Sequence, residues 1–272
     1  MKLIYYLLIL FLLGTCSRFE IKEELLEKKE VNIVEIYPTS DSLPENLLRF
    51  YVQFSHPMKA VNNLEHIKLV NEKGIVIEGA IFNNVYELWD EEQKQLTLLL
   101  DPARVKTGLA ANEKMGRALK AGSHYQLIIE RAEDIYGNIL KEPFVKAFFV
   151  LPEDQESPNV EQWTIIPPTS GSTTAFQILF PQTLDRLSVM NRIQLITKDN
   201  EWVKGEVTIT NEEREWRFSP KEKWKKGNYT LLVNSRLEDP SGNNLNGLFD
   251  HPIGSLKNKK EGKVLEYEFI VE

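Results

Sequence analysis

Two short turns carry the side chains best suited to chemistry: Asp134-Ile135-Tyr136-Gly137-Asn138 and Asp239-Pro240-Ser241-Gly242-Asn243. Hard oxygen donors clustered in a turn suit calcium. Asp134, Asn138, Asp239 and Asn243 are therefore weak calcium candidates, with Asp250 a further oxygen for the second turn. The competing expectation is that each Asp accepts hydrogen bonds from its own turn while the Gly takes the left-handed position. Two oxygen-bearing side chains per turn favour that reading. The four histidines, His56, His66, His124 and His251, show neither H-x-H nor H-E-x-x-H spacing, and the single cysteine, Cys16, cannot complete a zinc set. The sequence holds no Gly-x-Ser-x-Gly elbow and no phosphate-cradling glycine loop. These residues imply no cofactor, no metal beyond the weak calcium candidates, and a protein that is not an enzyme.

Recognition by surface side chains is the alternative to catalysis, and Trp and Arg are favoured anchors. Trp89, Arg104 and Arg117 form the candidate recognition patch. The two arginines lie in a long connection, 103–121, that the second half of the chain makes with only 221–226. A connection this long either binds or packs on a neighbour, and packing between domains is the preferred expectation. The stretch 84–90, with Tyr86 and Trp89, lacks clean alternation and is expected beside it. Trp163 and Trp216 fall within alternating stretches and read as core; Trp202 and Trp224 stand near turns, where one is expected to be exposed.

The elements that position these residues repeat. Ala121-Gly122-Ser123-His124-Tyr125 leads into Gln126-Leu127-Ile128-Ile129, and Lys226-Gly227-Asn228-Tyr229 into Thr230-Leu231-Leu232-Val233. Period-two alternation marks strands with one face on a core. The Tyr that opens each strand resembles a tyrosine corner of a Greek-key sandwich, ring inward and hydroxyl on nearby backbone. Phe50, Val52 and Phe54 have their echo in Phe176, Ile178 and Phe180; strand 95–100 has its echo in 215–220. About seven short strands per half, separated by turn signals, predict an all-β fold of two tandem Greek-key β-sandwiches, spanning 31–151 and 161–272. A Pro- and acid-rich linker, 152–160, joins them and reads as fairly stiff.

The N-terminus points to export. Lys2 precedes an apolar run, 3–13, too short to span a bilayer, and then Leu13-Gly14-Thr15-Cys16. The last four residues resemble a bacterial lipobox, with Thr15 in place of the usual small residue. The resemblance implies a signal peptide over 1–15, lipidation of Cys16 and a tether over 16–30, whose Glu and Lys content cannot hold a core. Several acyl chains would anchor firmly where one does so marginally. An ordinary secretory signal is the other reading. The net charge of -7 without a basic stripe excludes nucleic acid as a partner.

The order strand, Phe54-Ser55-His56-Pro57-Met58, hairpin, Gly-x-x-Tyr and Asp-x-x-Gly-Asn resembles the bacterial Ig-like domain of the SbsA type, here in two copies. The second copy departs at Phe180-Pro181-Gln182-Thr183-Leu184. The resemblance implies Ig-like sandwiches on an envelope protein and brings no catalytic residues. The resulting expectation is a lipid-anchored bacterial envelope protein, in the outer membrane, with a non-catalytic binding or spacer role. Its partners would be the membrane, through the anchor, and an envelope protein or glycan. The alternative is a carbohydrate-binding accessory lipoprotein.

Overall fold

The computed structural model describes residues 30–60, 64–82, 87–251 and 262–272. The signal, Cys16, Tyr86 and the tether up to residue 29 lie outside the described residues. From Val31 to Glu272 the chain forms one compact unit.

Each half is an Ig-like sandwich, and the alternation read in the sequence decides which side chains face inward. In the first half one sheet comprises β1 (Ile33–Tyr37), β3 (Arg49–Phe54), β6 (Gln95–Leu99) and β5 (Leu88–Trp89), in the order β1-β3-β6-β5. The facing sheet has β2 (Ser42–Pro44), β8 (Phe144–Leu151), β7 (His124–Ile129) and β4 (Ile67–Asn71), in the order β2-β8-β7-β4. Phe50, Val52 and Phe54 point into the core, where Phe50 meets Phe148 at 5.6 Å between ring centroids. In the second half β9 (Thr164–Ile166), β10 (Phe176–Leu179), β13 (Glu215–Pro220) and β12 (Gly205–Thr210) run β9-β10-β13-β12. They face β11 (Ile193–Thr197), β14 (Gly227–Asn234) and β15 (Val264–Val271), ordered β11-β14-β15. This is the four-plus-three arrangement of constant-type Ig domains.

The second core is aromatic. Trp163 meets Phe180 edge-on at 4.7 Å, Phe269 lies 4.6 Å from Phe176, and Trp216 is fully buried. Trp163 is also buried, while among the turn tryptophans Trp224 is buried and Trp202 is exposed. A tyrosine corner forms at Tyr229, which donates to the Lys225 carbonyl at 3.1 Å, and Tyr125 is likewise buried at the start of β7.

The structure departs from the sequence expectations in four places. The first sandwich carries an eighth strand, β2, pairing parallel to β8 through Ser42↔Phe149, Leu43↔Val150 and Pro44↔Leu151, and so covering an edge that would otherwise be open. The expected return strand after Gly74 shrinks to the single bridge Val70↔Val76. The long connection contains two short helices, α1 (Pro102–Val105) and α2 (Ala110–Met115). A third helix, α3 (Arg186–Arg192), follows β10, its first turn capped by Asp185 accepting from Ser188 N at 2.8 Å.

Candidate functional site

Tyr51 and Asp239, whose ionisation is displaced far from ordinary behaviour, both sit where the two sandwiches meet, and such groups mark candidate functional sites. The first sandwich contributes the connection between β1 and β3 and the long 103–121 connection. The second contributes the stretch before α3, the β12–β13 turn and the Asp239 turn.

Three acids of the second sandwich reach across. Asp185 accepts from the Tyr51 hydroxyl at 2.7 Å and lies 3.8 Å from Arg49 Nε. Glu238 takes Arg49 Nη2 at 2.5 Å. Glu213 accepts from both the backbone N–H and the hydroxyl of Thr39, at 3.0 and 2.9 Å. Arg186 lies over the Tyr37 ring at 4.0 Å. Tyr51 occupies an outward-facing position of β3, yet it is as buried as a core residue because the other sandwich covers it. Burial raises the pKa of Asp185 against the opposing pull of Arg49 and Tyr51, and raises that of Glu213 against its bonds from Thr39. Burial also raises Tyr51, and Asp185 adds to it. Burial opposes the charge on Arg49, but Tyr51, Asp185 and Glu238 outweigh it and hold its pKa up.

The linker is clamped rather than free. Asn46, from the first sandwich, accepts from Asp154 N at 2.8 Å and donates to Asp154 O at 2.9 Å. Asn243, from the second, donates to the carbonyls of Asp154 and Glu156. Ser241 then joins the two sides by donating to Asn46 Oδ1 at 3.0 Å, and Leu48 N donates to Pro240 O at 2.9 Å.

The four turn residues singled out as oxygen donors form two matching turns. Asp134 Oδ1 accepts from Tyr136 N and Asn138 N, and Oδ2 accepts from Asn138 Nδ2 at 2.9 Å. Asp239 repeats this with Ser241 N, Asn243 N and Asn243 Nδ2 at 3.0 Å. In both turns the Asn presents its NH2 group, not its oxygen, to the carboxylate. Among the described residues no cluster of three or more His, Cys, Asp or Glu has metal-binding geometry. Asp250 accepts from Thr107 and from Arg117 of the first sandwich. The two Asp residues nevertheless differ electrostatically. Burial pushes Asp134 up, but its bonds from Asn138 and Tyr136 win and hold it below the usual range. Burial under the neighbouring sandwich, with Asp154 close by, pushes Asp239 up to about 8.

The candidate patch of Trp89, Arg104 and Arg117 is not assembled. Trp89 pairs with Leu96 near the start of β6, whereas both arginines follow its end. Arg104 is buried, and its guanidinium donates to the carbonyls of Gly116, Glu78 and Arg117, which fixes the fold of the long connection. Arg117 serves the joint, bridging Glu45 at 3.7 Å, Asp250 at 3.4 Å, and Glu153. The long connection is thus interdomain packing. Trp89 stands alone of the three, packed on Phe54 at 5.6 Å and donating to Glu87. It lines a cleft of about 430 Å³ with His66, Lys59, Lys68 and the strip 130–133.

Sequence reasoning missed Arg49, Tyr51, Asp185 and Glu213. Only Tyr51 gives a signal, being an aromatic at a position that alternation assigns to solvent.

No protein-family model matches the chain, and comparison with curated proteins returns no match. Among solved structures it is similar to domains 1–6 of the surface layer protein SbsC: 10% identity, 90% of this chain, 26% of that one, TM-score 0.33. It is likewise similar to a tandem Ig pair of titin, with 11% identity, 89% and 95% coverage and TM-score 0.25. A third is the N-terminal Ig1-2 module of the Drosophila receptor protein tyrosine phosphatase DLAR, with 10%, 77% and 93%, and 0.26. The chain spans about a quarter of the surface-layer structure. At these identities and scores the likenesses carry no functional argument.

Proposed function

We propose that this is a lipid-anchored protein of the bacterial cell envelope with a non-catalytic role, holding a binding surface at a set position from the membrane. The observation that carries the spacer role is the joint. Three acids clasp Arg49, Tyr51 and Thr39, and two asparagines grip the linker, so the sandwiches move as one. Independent beads on a string would bury no ionisable groups between them, because desolvation costs energy unless partners are in place. The anchor follows from Leu13-Gly14-Thr15-Cys16, and an outer-membrane location fits Ser17 after the acylated cysteine.

Two experiments test the parts separately. A palmitate analogue fed to cells should label the wild type and not Cys16→Ala; equal label in both would remove the anchor. Protease nicking within 152–158 should be slow in the wild type and at least several-fold faster in Arg49→Ala. Equal nicking would mean the joint does not hold the linker.

A second reading, a carbohydrate-binding accessory protein, is favoured by the cleft beside Trp89, where an aromatic wall meets charged side chains. Saturable binding on a glycan array, lost in Trp89→Ala, would support it; no retained glycan would set it aside.

A further inference from the structure

The two sandwiches present matching poles, and hydrogen bonds align them residue by residue. Phe54 N donates to Lys94 O as Phe180 N does to Arg214 O, both at 2.8 Å. Met58 N donates to Gln93 O as Leu184 N does to Glu213 O. Lys59 N donates to Glu133 O as Asp185 N does to Glu238 O, both at 2.9 Å. The second pole is spent on the joint; the first pole faces no other part of the described chain.

The differences at equivalent positions show what each pole is for. Where the joint uses Asp185 and Glu213, the free pole has Lys59 and Gln93, so it lacks two of the three acids with which this chain seats one sandwich on another. Where the second turn has Pro240 and Ser241, buried against the first sandwich, the free turn has Ile135 and Tyr136, 50% and 59% exposed. Ile139, opposite Glu133, adds a third apolar side chain at 54%. The turn itself requires none of them: Asp134, Gly137 and Asn138 make it, as Asp239, Gly242 and Asn243 make its twin. An apolar tip that the fold does not need marks a contact surface.

The chain's own course says what lies there. Ser55 N donates to Asn32 O, and Ile135 N donates to Pro57 O at 3.0 Å, so the N-terminal segment enters the unit one loop away from this tip. If Cys16 carries the lipid, 13 residues lie between it and Glu30, so whatever their conformation the lipid is held within about 50 Å of the point where the chain enters the unit. Tyr at an apolar tip is a side chain suited to the membrane–water boundary. Two of the nearby cations are neutralised by acids, Lys59 by Glu133 at 3.1 Å and Lys94 by Glu92 at 2.9 Å.

We propose that Ile135, Tyr136 and Ile139 form a membrane-contacting tip that rests in the headgroup layer of the bilayer to which the chain is tethered. The contact is apolar rather than electrostatic, so zwitterionic lipid suffices and salt leaves it unchanged. This inference rests on the anchor proposed above.

The full lipidated chain, reconstituted in phosphatidylcholine vesicles, gives the test. Cysteines introduced singly by Ile135→Cys, Ile139→Cys and, as an exposed control in the second sandwich, Asp199→Cys are labelled with a thiol-reactive fluorophore. The parent chain should take no label, because Cys16 is acylated. Doxyl-lipid quenching should be several-fold stronger at 135 and 139 than at 199, and unchanged in high salt. Quenching at 135 and 139 equal to that at 199, in chains that float with the vesicles, would overturn the tip alone. Shielding from aqueous reagent without lipid quenching would mean that protein covers the tip, and would also overturn it. A labelled parent chain that does not float would refute the anchor, and this inference with it.

Discussion

Asp134 and Asp239 sit in turns of identical hydrogen bonding and should titrate on opposite sides of the ordinary carboxylate range. Only Asp239 lies under a second sandwich beside Asp154, and its pKa is pushed up to about 8. A carboxyl whose folded pKa exceeds its unfolded value binds more protons when folded. Its contribution to stability is therefore present at low pH and is lost as pH rises through the folded value. With an unfolded pKa near 3.9 and one unit equal to about 1.4 kcal/mol, raising pH from 6 to 9 should cost roughly 2.5 kcal/mol. Asp239→Asn cannot ionise. It should start less stable at pH 6 by about 1–2 kcal/mol, because an amide NH2 would face the Asn243 NH2, and should lose the pH dependence between 6 and 9. Asp134→Asn should keep the wild-type slope, since the Asp134 pKa is held low. Denaturant midpoints of the three proteins at pH 6, 7.5 and 9 provide the measurement, and comparing variants cancels groups that titrate elsewhere. A wild-type slope that survives in Asp239→Asn would refute the claim that this buried carboxyl carries it.

Other perturbations probe the joint by different routes. Tyr51→Phe deletes a 2.7 Å bond to a buried carboxylate and should cost about 1–3 kcal/mol in denaturant unfolding; combined with Asp185→Asn the losses should be clearly sub-additive, and simple additivity would show that the pair does not interact. Gly242 has φ +80, and a Cβ there would lie 2.8 Å from Leu48 Cδ2, whereas Gly137 at φ +83 has nothing within 4 Å. Gly137→Ala should therefore cost about 1 kcal/mol of backbone strain and Gly242→Ala at least about 1 kcal/mol more, a difference visible in melting temperature. Trp216→Ala, which empties the centre of the second core, should cost about 3–5 kcal/mol; a loss under 1 kcal/mol would place that indole outside the core.

The sandwiches were legible because their signals are local. Phe50-Tyr51-Val52-Gln53-Phe54 alternates, Gly227 precedes a corner tyrosine, and Asp-x-x-Gly-Asn closes on itself, so each could be read without knowing what lay across the sheet. The joint was not legible, because Arg49 with Glu238 and Thr39 with Glu213 are separated by nearly two hundred residues. Nothing in either local pattern states a partner. α3 escaped for a related reason: seven residues are too few for a helical period, and its cap, Asp185 to Ser188, shows only in coordinates. The patch of Trp89, Arg104 and Arg117 failed because proximity in sequence was taken for proximity in space. β6 intervenes and carries the chain from one end of the sandwich to the other.

The comparison between the copies adds what neither copy shows alone. Two sandwiches of like design have equivalent poles, and the pole that its neighbour covers is constrained by that neighbour. The covered pole holds Asp185, Glu213 and Glu238 against Arg49, Tyr51 and Thr39, and brings the Leu48 side chain close to Gly242. The uncovered pole is free of those demands, yet it has not drifted to the polar surface that solvent alone would permit: Ile135, Tyr136 and Ile139 stand exposed on a turn whose geometry is set by other residues. The absence of a facing sandwich accounts for the absence of those acids there. It does not account for three large apolar side chains exposed within the five-residue stretch 135–139, and that asymmetry is the reason to seek a contact at the end of the molecule where the chain enters.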